Sequence, residues 1–334
     1  MLTNTLHWGI IGCGHIAHTF MTSNAAVKHS EVVACAARDW GRAQTFAEHY
    51  SIPKASGDYT DLINNPNVHA IYVATTHNTH YSVVAECIKA GKAVLCEKPL
   101  TVNAKQTENL FALAKQHNIL LVEAVWMRFL PAIHALAEHI RQGIIGEVCA
   151  IHANFSFNGE FAPSHRLQNP NTAGGALLDL GIYPLHFADL IYATLPDKIT
   201  SQVRFSETGV DASNYIVAEY GAKRHAILSS SFVNHTPTHA TITGSNGIIE
   251  VPNFLAAQSY QTAIGEHQQT FSKPFVEQQN FTAEIAEFKQ CLESGRTECP
   301  SVPSASTIRV MRTMDTLRAQ WGLRYSNTIE TTEL

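Results

Sequence analysis

Charged residues are scarce in this sequence, and no part of it is strongly basic. Charged side chains make up 15% of the 334 residues, and the net charge is −5 with the histidines neutral. Nucleic-acid-binding surfaces need clustered Lys and Arg, so the composition predicts no nucleic-acid partner. The low charge also leaves more neutral surface for contact with another subunit.

Long apolar runs and paired cysteines are also missing. No apolar run approaches the length that spans a membrane, and the first one is too short for a signal peptide. The seven cysteines are scattered, odd in number and without a Cys-x-x-Cys motif. This usage is typical of reduced thiols that fill cores. We therefore expect a cytoplasmic protein with no membrane partner.

The length suits about two domains. Up to residue 125, short apolar runs alternate with amphipathic segments, which predicts a doubly wound parallel sheet, a Rossmann domain. In residues 126–334, short alternating strands predict an α+β domain with a large, mostly antiparallel open sheet. Helices are expected near 177–192 and 281–294, and a last one near 304–321 is expected to return to the first domain. The predicted fold class is α/β.

A glycine-rich turn follows the first apolar strand. Gly12 permits a tight turn, and Gly14 lets the backbone approach a pyrophosphate. A helix that starts near His15 and Ile16 offers free N–H groups to phosphates. The alternative is a turn that binds nothing, but the strand-turn-helix order favours a dinucleotide.

The end of the second strand bears on the choice of cofactor. An acid there usually accepts bonds from ribose hydroxyls, whereas an arginine accommodates a 2′-phosphate. Arg38 precedes Asp39, and Arg42 follows within one turn. We therefore favour NADP over NAD, although Asp39 could simply cap the helix and Arg42 could be a solvated charge.

Polar residues also follow the fourth strand. Thr75, Thr76 and Asn78 are predicted to bond the cofactor's phosphates and ribose. His77 and His80 are predicted to line the cleft, and His80 to contact the cofactor there. The two histidines have no third ligand at a suitable spacing, so no metal site is predicted.

A lysine and a tyrosine are the predicted chemical centre. Glu97, Lys98 and Pro99 end the fifth strand, where the ammonium can reach the nicotinamide ribose and the substrate oxygen. Further on, Asp179 and Tyr183 share one helix face at i and i+4. A nearby ammonium lowers the pKa of a phenol, so the pair can exchange a proton with an alcohol. The alternative is that Tyr183 only packs.

Three motifs together resemble the Gfo/Idh/MocA family: Gly-Cys-Gly-His-Ile-Ala at 12–17, Glu-Lys-Pro at 97–99 and Gly-Gly-Ala-Leu-Leu-Asp-Leu-Gly-Ile-Tyr at 174–183. The resemblance implies hydride transfer between NADP and a sugar or vicinal diol. It also implies a homodimer formed through the open sheet. Most relatives have histidine where this chain has Tyr183, but one branch has tyrosine.

The resemblance to that branch also implies roles for single residues. Tyr183 becomes the proton-transfer residue, with Lys98 as its electrostatic partner and Asp179 as the family's acid. The substrate-cleft positions of that branch match four residues here: His77, Trp126, Phe155 and Tyr183. Glu97, Lys98, Trp126 and Arg128 match cofactor contacts. Two other functions stay open: a non-catalytic dinucleotide sensor, and an NAD-linked inositol or sugar dehydrogenase.

Overall fold

The structure is a computed structural model that describes residues 5–276 and 280–333. Its first part is a six-stranded parallel sheet in the order β3-β2-β1-β4-β5-β6. The strands are β1 Leu6–Ile11, β2 Ser30–Ala36, β3 Lys54–Ser56, β4 Ala70–Val73, β5 Ala93–Glu97 and β6 Leu121–Ala124. Most positions in β1, β4, β5 and β6 are buried, because helices cover both faces of the sheet.

Five helices connect these strands, and a sixth follows them: α1 His15–Asn24, α2 Trp40–Tyr50, α3 Tyr59–Ile63, α4 His77–Lys89, α5 Ala104–His117 and α6 Pro131–Arg141. Side chains of Asp39, Asp58 and Asn103 cap α2, α3 and α5 by accepting backbone N–H bonds. The predicted Rossmann sheet is confirmed, and its carboxyl edge is the place where a ligand is expected.

The second part is an eight-stranded sheet in the order β14-β13-β12-β11-β7-β10-β9-β8. Its strands are β7 Val148–Asn158, β8 Lys198–Phe205, β9 Asp211–Tyr220, β10 Arg224–Ser231, β11 Val233–Gly244, β12 Ile248–Pro252, β13 Ser259–Ile264 and β14 His267–Ser272. Among the described residues of this sheet, only β7 and β10 pair in parallel, so the mostly antiparallel prediction is confirmed.

Four more helices accompany this sheet: α7 Ile182–Tyr192, α8 Thr282–Glu293, α9 Ser304–Trp321 and α10 Asn327–Glu330. Helix α7 covers one face of the sheet, and α9 packs on both α7 and α5 of the first part. Within the described residues, no helix combines the length and the hydropathy needed to cross a membrane.

One predicted helix is less regular than expected. The segment 177–192 is not one α-helix: Leu177–Gly181 is a π-type turn, and α7 begins only at Ile182. Pro184 lacks an N–H group, so it cannot donate to a carbonyl in the preceding turn. The carbonyl of Asp179 is therefore left without a helical N–H donor, and it becomes part of the site described below.

Candidate active site

A cleft of about 770 Å³ opens at the carboxyl edge of the parallel sheet, a size typical of ligand sites. Most of the sequence-predicted site residues line it: Gly12, Gly14, His15, Ile16, Arg38, Asp39, Arg42, Thr75, Thr76, His77, Glu97, Lys98 and Asp179. Strand β7 and the segment after it contribute further walls, including Phe157, Phe161 and Arg166. The cleft therefore lies between the two sheets.

The turn between β1 and α1 is shaped for a close approach. Gly12 has φ +101°, and a Cβ there would lie 2.5 Å from the carbonyl oxygen of Ala74. A Cβ on Gly14 would meet nothing within 4 Å, so its backbone faces open space. Within residues 5–276 and 280–333, no side chain caps the N-terminus of α1. Its free N–H groups and open approach fit a pyrophosphate.

Two guanidinium groups stand at the end of β2. Arg38 and Arg42 are exposed, and neither forms an ion pair within the part of the chain that the structure describes. Asp39 accepts a bond from the backbone N–H of Arg42 at 2.9 Å, so its carboxylate caps α2. The positive charges at this corner fit a 2′-phosphate.

The residues after β4 form a small hydrogen-bonded group. Thr76 donates to the side-chain oxygen of Asn78 at 2.7 Å, and Thr79 donates to Thr75 at 2.8 Å. Thr75 and Thr76 line the cleft. Asn78 instead holds the hydroxyl of Thr76 in place.

The turn that carries Lys98 is anchored from behind. The Lys98–Pro99 bond is cis. The ring nitrogens of His80 lie 2.9 Å from the Pro99 carbonyl and 3.1 Å from the Thr75 carbonyl, and Glu123 accepts a bond from the Leu100 N–H at 2.9 Å. Burial lowers the pKa of His80 to about 4, so the neutral ring donates to only one of the two carbonyls. The structure thus makes His80, predicted to contact the cofactor, a support for the turn.

Lys98 reaches across the cleft to Asp179. Its Nζ donates to the Asp179 carbonyl at 2.7 Å and to the Asp179 carboxylate at 2.9 Å. That carbonyl is available because Pro184, five residues on, cannot supply the N–H of a π-type turn. The irregular start of α7 thereby creates an acceptor for the lysine.

Besides Lys98, the Asp179 carboxylate contacts Arg166 and His77. Arg166 donates to both of its oxygens, at 2.9 and 3.2 Å, and the Nε2 of His77 lies 3.7 Å away. Burial opposes ionisation, but Lys98, His77 and Arg166 outweigh it and hold the pKa of Asp179 well below its usual range. Arg166 was not predicted, because it lies in a loop segment without a recognisable motif.

Tyr183 lies beside Lys98. The lysine Nζ is 5.1 Å from the centre of the phenol ring, and Trp126 donates its indole N–H to the Tyr183 hydroxyl at 3.0 Å. The ring of Phe155 packs edge-on at 5.9 Å. The structure therefore brings together the two groups that the sequence placed 85 residues apart.

The expected lowering of the Tyr183 pKa is wrong for this structure. Burial raises the pKa of Tyr183 well above its ordinary value, and the charges of Glu97 and Asp179 raise it further. The ammonium of Lys98 is already paired with Asp179, which reduces its effect on the phenol. Tyr183 therefore holds its proton firmly.

Arg128 does not reach the cleft. Its buried guanidinium donates to the His186 carbonyl at 3.3 Å and to Ser306 at 3.1 Å, and it lies 3.7 Å from Asp189. These contacts join α7 to α9. The structure thus places this predicted cofactor contact at a helix junction.

Among the described residues, one cluster has potential metal ligands close together, and it lies outside the cleft. The ligand atoms of Glu287, Cys291 and Cys299 are all within 4.8 Å of one another. However, the Glu287 carboxylate already accepts bonds from the Cys299 thiol and from the N–H and hydroxyl of Ser301. The cluster therefore fastens residues 299–301 to α8, and the prediction of no metal site stays a prediction.

Comparison with known families gives two matches. Residues 6–124 match the model of the GFO/IDH/MocA oxidoreductase family with an NAD-binding Rossmann fold. Residues 133–250 match the model of the GFO/IDH/MocA C-terminal domain.

Individual proteins are similar over nearly the whole chain. A trans-1,2-dihydrobenzene-1,2-diol dehydrogenase of Mus musculus is 36% identical, covering 96% of this chain and 98% of the relative. One of Xenopus laevis is also 36% identical, covering 95% and 98%. A crystal structure of a 3-ketoreductase from Actinomadura kijaniata, with NADP and TDP-benzene, superposes with a TM-score of 0.85 at 27% identity, covering 95% of this chain and 98% of that one.

The Asp179→Asn substitution tests the charge cluster. Removing the carboxylate charge leaves Lys98 and Arg166 without their partner, so we expect a loss of about 3 kcal/mol of unfolding free energy at neutral pH. Because the folded pKa of Asp179 is lowered, its stabilisation is present above the ordinary carboxyl pKa and is lost as the pH falls through the lowered value. Urea denaturation should show a constant difference from about pH 8 to 5 that shrinks below about pH 4.

The matched control is Glu219→Gln, which breaks the exposed pair with Lys198. Exposed pairs contribute about 1 kcal/mol or less. An Asp179→Asn effect as small as that of the control would contradict the central role of this carboxylate.

Proposed function

Since the chain belongs to the GFO/IDH/MocA oxidoreductase family, we propose that it transfers a hydride between NADP and a hydroxyl- or carbonyl-bearing carbon of a sugar or a cyclic vicinal diol. It is an NAD(P)-dependent dehydrogenase acting on CH–OH groups. The observation that carries the finer proposal is that Lys98, which lines the cleft, has its ammonium 5.1 Å from the centre of the Tyr183 ring.

Tyr183 is the proposed proton-transfer group. The bound cofactor supplies the hydride acceptor or donor at its nicotinamide ring. In carbonyl reduction, the Tyr183 hydroxyl gives its proton to the oxygen that becomes the alcohol; in oxidation, the phenolate takes the hydroxyl proton back. The Lys98 ammonium and the Trp126 N–H stabilise the phenolate that forms. Because its pKa is raised, Tyr183 carries its proton at neutral pH, which is the form that the reductive direction requires.

The aromatic side chains around Tyr183 and in the cleft favour a ring-shaped substrate. Trp126 and Phe155 flank Tyr183, and Phe157 and Phe161 line the cleft. Such faces pack against the carbon side of a sugar or a cyclic diol, while His77 supplies a polar edge. The vertebrate relatives are named for a cyclic diol, trans-1,2-dihydrobenzene-1,2-diol, and the ketoreductase was crystallised with TDP-benzene.

The outer face of the large sheet is the proposed homodimer surface. Tyr215, Val217 and Ile227 are each between 41% and 52% exposed, and Val217 lies directly opposite Ile227 on neighbouring strands. The open face of an antiparallel sheet is usually polar, so this apolar patch favours a second subunit.

The cysteines support the proposed cytoplasmic location. All seven are free thiols, and six of them are buried. Such cysteines suit a reducing compartment, where thiols stay unpaired.

Two substitutions test the chemistry. Lys98→Met removes the ammonium, and Tyr183→Phe removes the hydroxyl proton. Each should lower turnover by about 10²–10⁴-fold, the usual contribution of a positioned acid or base. The measurement is NADPH oxidation and NADP reduction against a panel of aldoses, keto sugars and cyclic diols. Binding of NADPH, followed by fluorescence, should persist in both variants.

Lys89→Met is the control, because Lys89 is an exposed lysine at the end of α4. Turnover near the wild-type rate in either site variant would reject the lysine–tyrosine pair. Tight NADPH binding without turnover of any substrate by the wild type would favour a dinucleotide sensor instead.

Arg38→Ala tests the cofactor. Losing a charge-assisted contact with the 2′-phosphate should weaken NADPH binding by about 10–100-fold and leave NADH binding unchanged. Calorimetric titration of both cofactors measures this, with Arg141→Ala as the control, since Arg141 is an exposed arginine on α6. Equal losses for both cofactors would favour an NAD-linked inositol or sugar dehydrogenase.

Val217→Glu tests the dimer. A charge in the centre of the patch should convert a particle of about twice 36.7 kDa into a monomer in size-exclusion chromatography with light scattering. Thr270→Glu, on the exposed outer strand of the same sheet, should leave the mass unchanged. A wild type that runs as a monomer would refute the proposed homodimer.

A further inference from the structure

One buried acid is left unexplained by the proposed chemistry. Glu284, in the first turn of α8, is fully buried. Among the described residues, neither of its carboxyl oxygens has a hydrogen-bond partner. Buried polar groups are nearly always paired, so an orphaned carboxyl needs a reason.

The neighbours of Glu284 on α8 show where its carboxyl lies. Phe281, Glu284 and Phe288 follow one another at helical spacings of three and four, which places them on one face. The Phe281 ring is 6.0 Å from the ring of Trp126, and the Phe288 ring is 4.9 Å from the ring of Trp8. Glu284 is therefore held between Trp126, which binds Tyr183, and the core around Trp8.

That core leads back to the catalytic lysine. Trp8 packs on Phe20 at 5.2 Å, and Phe20 stacks on Tyr72 at 4.1 Å. The Tyr72 hydroxyl donates to the carboxylate of Glu97 at 2.5 Å, and Glu97 directly precedes Lys98. Two buried acids, from strand β5 and from helix α8, thus belong to one group of residues behind the site.

The two acids differ in their partners. Burial raises the pKa of Glu97, while the Tyr72 hydroxyl and the Lys98 charge oppose that rise. Burial raises the pKa of Glu284 well above its ordinary value, and the charge of Glu97 raises it further. Two such carboxyls in one apolar region do not both ionise near neutral pH. Glu97, which accepts a bond from Tyr72, carries the negative charge, and Glu284, which has no such donor, keeps its proton.

We propose that Glu284 is a positioning residue for the hydride transfer: it holds the single proton of a two-carboxyl group, so that Glu97 keeps one negative charge beside Lys98. This inference rests on the proposed function. A negative charge on either Glu97 or Glu284 raises the pKa of Tyr183, so the number of charged acids determines how easily the phenolate forms. If Glu284 also ionised, a second negative charge would make the phenolate harder to form.

Several titratable groups face these two acids. They are Tyr72 from β4, Cys96 in β5, Lys98 after β5, Arg166 from the loop after β7, and Asp179 and Tyr183 around the start of α7. Helix α1 contributes the uncharged Ser23, which bonds the first residues of α8. Arg128, in the short turn after β6, faces Asp189 instead.

The test compares Glu284→Gln with the wild type over a range of pH. In the native protein the raised pKa keeps Glu284 protonated, whereas in the unfolded chain it ionises above about pH 4.3. Wild-type stability therefore falls as the pH rises above that value, and Gln removes this loss. The melting temperature of Glu284→Gln should exceed that of the wild type by a margin that widens from about pH 5 to 8.

The kinetic measurement tests the positioning role. As the wild-type pair loses its last proton at alkaline pH, the oxidation rate should fall by about tenfold, the effect of one added charge in a protein interior. Glu284→Gln, which stays neutral, should keep its neutral-pH rate and lack this alkaline fall. Glu293→Gln, an exposed acid on the same helix, should behave as the wild type in both measurements.

The outcomes are distinct. A melting-temperature margin that does not change with pH would show that Glu284 is ionised in the native protein and overturn the proposal. A widening margin with identical rate profiles would make Glu284 a structural acid only, which also overturns it. If the wild type turns over no substrate, the proposed function fails and the positioning role with it, while the melting measurements still establish the protonation state.

Discussion

The carboxylate of Asp179 is the point at which the two halves of the molecule meet. It belongs to the segment that leads into α7, yet its bonds go to Lys98 of the first sheet and to Arg166 of the loop after β7. One buried negative charge thus holds two cations from separate parts of the chain. Without it, these cations would repel each other across the cleft, and no other described acid is bonded to both.

The position of Lys98 depends on backbone chemistry as much as on charge. A proline in α7 frees the carbonyl that the ammonium binds. On the opposite side, His80 and Glu123 bond the backbone of the turn at Pro99 and Leu100. Glu123 also binds His186 and Thr307, so the turn is tied to α7 and α9 as well. The lysine is therefore fixed before a ligand arrives, which is the preorganisation that catalysis needs.

The sequence allowed the parts of the site with local signals to be predicted. Gly12 and Gly14 lie between a strand and a helix, and Lys98 ends a buried strand, so periodicity and turn chemistry placed them at one sheet edge. The partnership of Lys98 with Tyr183 came from motifs, and the structure brings the two side by side. Arg166 and Glu284 gave no such signal, because their roles arise only when distant segments pack. The Tyr183 pKa was misjudged for the same reason: burial and two acids cannot be read from spacing.

Helix α9 and the residues after it form a second connection between the two halves of the molecule. Helix α9 returns to the first sheet, where Asp315 accepts the first N–H of α5 and Arg312 pairs with Glu108. The side chain of Gln106 then donates to the carbonyls of Ile329 and Thr331. These bonds join the two halves on the side of α5, whereas Asp179 joins them at the cleft. Two separate connections resist hinge motion better than one, so the bonds at α5 help to hold Lys98 and Tyr183 at the distance that the structure shows.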